Sequence, residues 1–272
     1  MTLRLTPDDT SAAVQRLAAD DPLRVDIITA SGPDVPMLIV RRPRAHAVSI
    51  HSNGAVDLSR SRCEPVFQRS NYWRLLDSHQ IYVCDPATTG AKALSLAWGQ
   101  ATLDHWCLPE ISHALRAISR ALDVPEPHRH LYIGSSAGGF LSLALSAFDP
   151  GSRSLVNNPQ IDWTYWIPDA VNAVRHTYFN GKVPANIRRD HPTRTNALNT
   201  LAEYGSANEV TCHINVASIL DAQKQLPLAQ EATERANPSR YSVVLHTYSD
   251  PGRGHNPLAV EDFFRMVNDA NS

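Results

Sequence analysis

Apolar residues fall along the chain in two rhythms, and their succession predicts a sheet flanked by helices. Short apolar blocks of strand length cover residues 23–29, 35–40, 45–50, 81–84, 130–133, 154–157, 210–219 and 241–247. Between them lie segments with helical spacing. The clearest is 108–122, where Ile111, Leu115, Ile118 and Leu122 recur at intervals of three and four. Residues 12–19, 67–76, 137–148 and 228–236 are also expected to be helical. A last helix is expected to start at Pro257 and to bury Leu258, Val260, Phe263, Phe264 and Val267. The turn Ser31-Gly32-Pro33-Asp34 joins the first two strands as a hairpin, so the sheet is expected to open antiparallel. Residues 94–106 carry Trp98, Gly99 and Trp106 with no clear period.

Between 161 and 208 the rhythm changes. Trp163, Tyr165, Trp166 and Tyr178 sit among polar residues, and Arg188, Arg189 and Arg194 lie close together. This stretch is expected to be a helical cap over the sheet within one domain spanning 1–272. Its aromatics line a pocket or form the cap's own core. Its arginines are a solvated face or a site for an anionic substrate.

Composition narrows the function classes. The chain has 272 residues, 43% of them hydrophobic, with a net charge of −2. That charge argues against nucleic acid or an anionic membrane surface as the main partner. No stretch reaches the length of a membrane span, and residues 1–21 lack the apolar core of a signal peptide. Cys63, Cys84, Cys107 and Cys212 show neither paired nor metal-type spacing. A soluble cytoplasmic protein is the expectation. Its oligomeric state is left open.

Chemistry enters at Gly134-Ser135-Ser136-Ala137-Gly138. A buried strand precedes it and a helix follows, which is the context a Gly-x-Ser-x-Gly turn requires. The register makes Ser136 the candidate nucleophile and Ser135 not. Side chains at 134 and 138 would collide with the adjoining helix and strand, hence the glycines. The turn sets Ser136 at a helix N-terminus, where the Ala137 N–H can stabilise an oxyanion. The polar loop His51-Ser52-Asn53-Gly54, after an early strand, is the candidate second donor and otherwise an ordinary turn.

A serine hydroxyl needs a base, and the base needs an orienting acid. Asp221 lies 85 residues after Ser136 (221 − 136), and His255 lies 34 further on (255 − 221), flanked by Gly252 and Gly254. Asp162 and Asp250 are rival acids. Asp85 precedes the nucleophile, the wrong order for this arrangement. His128 and His130 lack an acidic partner or a His-Glu-x-x-His pattern, so no metal is expected, and no dinucleotide fingerprint or other cofactor site appears.

In motif order and strand–helix rhythm, from about residue 45 to 267, the chain resembles the α/β-hydrolase superfamily. The resemblance implies a mostly parallel central sheet flanked by helices, with the cap inserted before the penultimate strand. It implies Ser136 as nucleophile, His255 as general base and then acid, Asp221 as orienter, and oxyanion donors from Ala137 and the Ser52–Gly54 loop. His51, Trp163 and Trp166 are candidate substrate-lining residues. The expected activity is carboxylic ester hydrolysis through an acyl-enzyme on a small-molecule or glycan ester. One alternative is O-acyl transfer to a sugar hydroxyl. Residues 157–160 (Asn-Asn-Pro-Gln) and the aromatic cap faintly resemble hydrolase-like proteins of bacterial surface-polysaccharide and accessory-secretion systems. An alternative of another class is a non-catalytic binding or scaffold protein on the same fold.

Overall fold

The computed structural model describes residues 2–30 and 32–271; Ser31 of the expected turn lies outside the described residues. Nine strands form one sheet among these residues: β1 (Leu3–Leu5), β2 (Leu23–Ile27), β3 (Val35–Val40), β4 (Val48–Ser52), β5 (His79–Val83), β6 (His130–Ser136), β7 (Arg153–Pro159), β8 (Asn208–Asn215) and β9 (Tyr241–Tyr248). Their spatial order is β1-β2-β3-β5-β4-β6-β7-β8-β9. The β2/β3 hairpin is antiparallel, as its turn predicted, and β3 pairs antiparallel with β5. From β5 to β9 every pairing is parallel, and so is β1 with β2. The three-residue β1 is too short to show a period in the sequence.

Ten α-helices accompany the sheet among the described residues. They are α1 (Thr10–Gln15), α2 (Leu58–Ser61), α3 (Leu108–Ala121), α4 (Ala137–Ser146), α5 (Pro168–Tyr178), α6 (Pro184–Asp190), α7 (Pro192–Thr195), α8 (Ala197–Tyr204), α9 (Leu226–Arg235) and α10 (Val260–Asn271). The amphipathic α3 buries Ile111, Leu115 and Ile118, the positions its spacing selected. By contrast α4 is buried all round, wedged between the central strands and neighbouring helices, which explains its near-absence of polar residues. On the opposite face, Phe263, Phe264 and Val267 of α10 pack on Leu76, Leu131, Ile133 and Leu155.

Several boundaries differ from expectation: the expected helix 12–19 is Thr10–Gln15, and the expected strand 210–219 is Asn208–Asn215. Only Ser70–Leu75 of the segment 67–76 is helical, and it is 3-10 rather than α. The last helix begins at Val260, not Pro257, and the Leu258 N–H that precedes it is bonded by the side chain of Asn157. Helices α5 to α8 lie between β7 and β8 in the chain, and α8 packs on α4. Parallel strands bring the ends of β4, β6, β7, β8 and β9 to one edge of the sheet. There, loops distant in sequence can converge.

Candidate active site

The chain turns at Ser136 with φ 58° and ψ −129°, a conformation costly for a residue with a Cβ. The flanking glycines make it possible. A Cβ at Gly134 would lie 2.1 Å from the Gly138 carbonyl oxygen, and one at Gly138 would lie 2.5 Å from that of Ser52. Strand and helix therefore close on each other only with hydrogen at both positions. The Ala137 N–H opens α4 and so has no carbonyl partner within the helix.

Facing this turn is the loop after β9. His255 Nε2 stands 2.9 Å from Ser136 Oγ, and Nδ1 stands 2.7 and 3.0 Å from the two carboxylate oxygens of Asp221. The carboxylate accepts, so Nδ1 carries the hydrogen and donates it. Nε2 is then bare and accepts from the serine O–H. Asp221 is fully buried and begins a single π-turn, Asp221–Gln225, that leads into α9. Neither rival acid contacts the imidazole. Asp162 caps the turn Trp163–Tyr165 through the Thr164 N–H and hydroxyl, and Asp250 accepts from the Arg253 N–H within its own loop. Burial pushes the Asp162 carboxyl up to about 6, with the Thr164 bonds opposing it.

Three buried asparagines hold the histidine loop. Asn215 Nδ2 donates to the carbonyls of Asp250 and Gly254, and its Oδ1 accepts from the Asp250 N–H. Asn158 Nδ2 donates to the carbonyls of His255 and Asn256, while its Oδ1 accepts from the Asn215 N–H at 2.7 Å. Asn157 reaches the Tyr248 hydroxyl and the Leu258 N–H. Next along the chain, Gln160 Nε2 donates to Ser136 Oγ at 2.8 Å, and Gln160 Oε1 accepts from Trp98 Nε1. Sequence reasoning missed these roles. The available signal was four consecutive residues, three of them amides, at the end of a buried strand.

The remaining candidates separate clearly. The Ser52–Gly54 loop lies beside the turn, since a Cβ on Gly54 would come 3.8 Å from Ser136 Cβ. Its donors are occupied: the Gly54 N–H bonds Gln68 Oε1 at 2.9 Å, and the Asn53 N–H points to the Val83 carbonyl at 3.4 Å. Ser52 pairs with Ser142, and the Asn53 side chain accepts from the Asp85 N–H. His51 is not at the surface of the site. It is buried in β4 and stacked on Tyr82 at 4.7 Å, with both ring nitrogens unpaired. That burial, with Arg69 nearby, lowers its pKa to about 3.

Trp163 is likewise core, not lining. It stacks on Trp98, and its N–H goes to the Arg194 carbonyl. Trp166, half-buried, lies against the His255 ring at 4.3 Å. Of the clustered arginines, Arg194 is buried and tied to Gln100 and to the carbonyls of Thr102 and Leu103, which pins the aperiodic 94–106 segment to α7. Asp85 spans the N–H groups of Ala87 and Gly99. Among the described residues no group of three or more His, Cys, Asp or Glu side chains could hold a metal ion. No described helix is long and apolar enough to cross a membrane.

No family model matches this chain, and no curated protein matches it by sequence. Solved structures do. The capsule O-acetyltransferase of Neisseria meningitidis serogroup A is similar with a TM-score of 0.63 and 13% identity, over 89% of this chain and 93% of that one. Acetyl xylan esterase 1 from Thermoanaerobacterium sp. gives 0.55 and 15%, over 98% and 94%. Dipeptidyl peptidase 4 from Porphyromonas gingivalis gives 0.59 and 15%, over 96% of this chain and 37% of that one. At such identities the likeness is one of fold.

Proposed function

We propose that this chain, which has the α/β-hydrolase fold, is a serine esterase working through an acyl-enzyme. The observation that carries the reading is the unbroken hydrogen-bond chain from Ser136 Oγ through His255 to the buried Asp221 carboxylate, built on a strained turn. Ser136 Oγ attacks the acyl carbon while its proton passes to His255 Nε2. Asp221 holds the ring in the Nδ1–H tautomer and stabilises the imidazolium. Oxyanion charge falls to the Ala137 N–H at the start of α4, with the Gly54 N–H joining when substrate displaces its Gln68 partner. The leaving alcohol takes the proton from Nε2, and water then repeats the sequence in reverse. Trp166 and the cap bound the acyl-accepting side beside His255. The four cysteines, all free thiols, support a cytoplasmic setting.

A second reading keeps the acyl-enzyme and passes the acyl group to a glycan hydroxyl. It is favoured by the match over nearly the whole length of a capsule O-acetyltransferase. Incubation with an acyl donor and candidate glycans separates the two: acylated glycan supports transfer, and hydrolysis alone supports the esterase. A fluorophosphonate probe tests both. Labelling at Ser136 is expected, and an unreactive Ser136 in folded protein overturns the reading in favour of a non-catalytic scaffold.

A further inference from the structure

The reaction described above assigns no task to the side chain of Gln160, yet that side chain is fully buried and touches the serine oxygen. Its orientation is fixed from the far end. An indole N–H can only donate, so the atom facing Trp98 is Gln160 Oε1, and the NH2 group faces Ser136. Trp98 cannot drift, being itself fully buried and stacked on Trp163 at 5.2 Å. The next residue, Gly99, donates its N–H to Asp85 at 2.8 Å. The Gln160 backbone N–H adds a bond of 3.0 Å to the Ser136 carbonyl. The amide is thus a rigid donor set 2.8 Å from Ser136 Oγ and 3.5 Å from His255 Nε2.

We infer that Gln160 makes this site select oxygen over nitrogen at the acyl carbon, an inference that rests on the serine-nucleophile reading. In acylation the bond from Oγ to the acyl carbon forms and the Oγ proton moves to Nε2. The bond from that carbon to the leaving atom then breaks, and the Nε2 proton goes to the leaving atom. Once Oγ is an ester oxygen its lone pairs are delocalised, and the Gln160 N–H must find another acceptor beside Nε2. A leaving ester oxygen has two lone pairs, one for the proton from His255 and one for Gln160. A leaving amide nitrogen has a single lone pair, spent on the proton. The Gln160 N–H then faces no acceptor in a buried place. Deacylation runs by the same rule. Water or an alcohol gives its hydrogen to Nε2, attacks with one lone pair and accepts from Gln160 with the other, whereas an attacking amine has nothing left to offer. A site built to hydrogen-bond one atom rejects the analogue that cannot reply.

The test compares a p-nitrophenyl ester with the p-nitroanilide of the same short acyl group, and transfer to propanol with transfer to propylamine. Gln160→Met keeps the volume and removes the donor. It is expected to lower the ester-to-anilide and the propanol-to-propylamine rate ratios each by about 10- to 100-fold, because a leaving or attacking nitrogen no longer strands a buried donor. Equal losses on both substrates, or an unchanged ratio, overturn the inference. Trp98→Phe, which frees Gln160 Oε1 to turn, should shift the ratio in the same direction by a smaller factor, and it decides the matter if Gln160→Met does not fold. Fluorophosphonate labelling separates failure of the Gln160 role from failure of the serine nucleophile. A wild-type protein labelled at Ser136 with an unmoved ratio sinks only the Gln160 assignment. No labelling and no ester turnover sink the serine reading and this inference together.

Discussion

Ser136 and His255 meet at 2.9 Å, but the chain brings them there by opposite means. The serine is placed by backbone sterics within five consecutive residues, where two absent Cβ atoms let β6 and α4 close on a strained turn. Strain of about 1–3 kcal/mol at such a turn persists because fully buried packing around α4 over-determines it. The histidine is placed by side chains from other strands: Asn158 on β7 holds its carbonyl across 97 residues, and Asn215 on β8 holds the loop that carries it. Each such bond contributes only about 1 kcal/mol net, yet leaving its buried partners unpaired costs about 1–3 kcal/mol. The serine side is therefore locally coded and stiff, while the histidine side exists only once the sheet is complete.

The bluntest way to break this symmetry of purpose is to remove the serine. Ser136→Ala should cut kcat on a short p-nitrophenyl ester by about 10⁶, the loss typical when a triad nucleophile goes, with folding intact by circular dichroism. Full turnover in that variant would end the argument. On the histidine side, Asp221→Asn should lower kcat by about 10⁴ through the wrong imidazole tautomer, with binding preserved. Asp162→Asn and Asp250→Asn should do far less, because neither carboxylate touches the ring. An equal loss in either would move the acid assignment. Asn215→Ala sharpens the comparison directly. It should reduce kcat by about 10²-fold, the cost of displacing a catalytic group by about 1 Å. It should also lower stability by about 1–3 kcal/mol as four partly buried backbone groups lose their partner. Fluorophosphonate labelling, which also needs the base, should slow in parallel, and unchanged labelling would show that the loop stands without its clamp.

The same contrast explains what the sequence could disclose. Gly134, Ser136 and Gly138 were legible because a steric requirement spans adjacent residues and admits one residue type. Periodicity found α3 and both halves of the β2/β3 hairpin for a similar reason. The Asp221 and His255 positions followed from chain order, which parallel topology enforces. Gln160, Asn158, Asn215 and Trp98 were not legible, since amides and an indole acquire a role only from partners across a folded sheet. His51 and Trp163 misled in the opposite direction. A polar ring after a strand and an aromatic in a cap suggest a pocket, but tertiary packing buried both. The Ser52–Gly54 loop does lie beside Ser136, but Gln68 answers its Gly54 N–H, a partner 14 residues away that no local pattern discloses.

The smallest effect on turnover is expected from two buried titratable groups, one behind each region, and their pH dependence runs in opposite directions. Asp162 lies just past Gln160 and caps the turn Trp163–Tyr165. Folding raises its pKa from an ordinary 3.8 to about 6, chiefly by desolvation. The folded chain thus binds a proton between those values that the unfolded chain has lost. The stability this confers is complete below 3.8 and gone as pH rises through about 6. His51, within β4 behind the serine turn, is lowered from 6.5 to about 3 by burial and then by Arg69. Its contribution is complete above 6.5 and is lost as pH falls toward 3. Denaturant midpoints measured from pH 4 to pH 8 should separate the two. Asp162→Asn, which keeps the acceptor for the Thr164 N–H, should gain on the wild type as pH rises from 4 to 6. His51→Phe, which keeps a ring against Tyr82, should gain as pH falls below 6.5. At pH 7.5 both should turn over the ester within a few-fold of wild type. Slopes of the same sign in the two variants would show that burial does not set both ionisations.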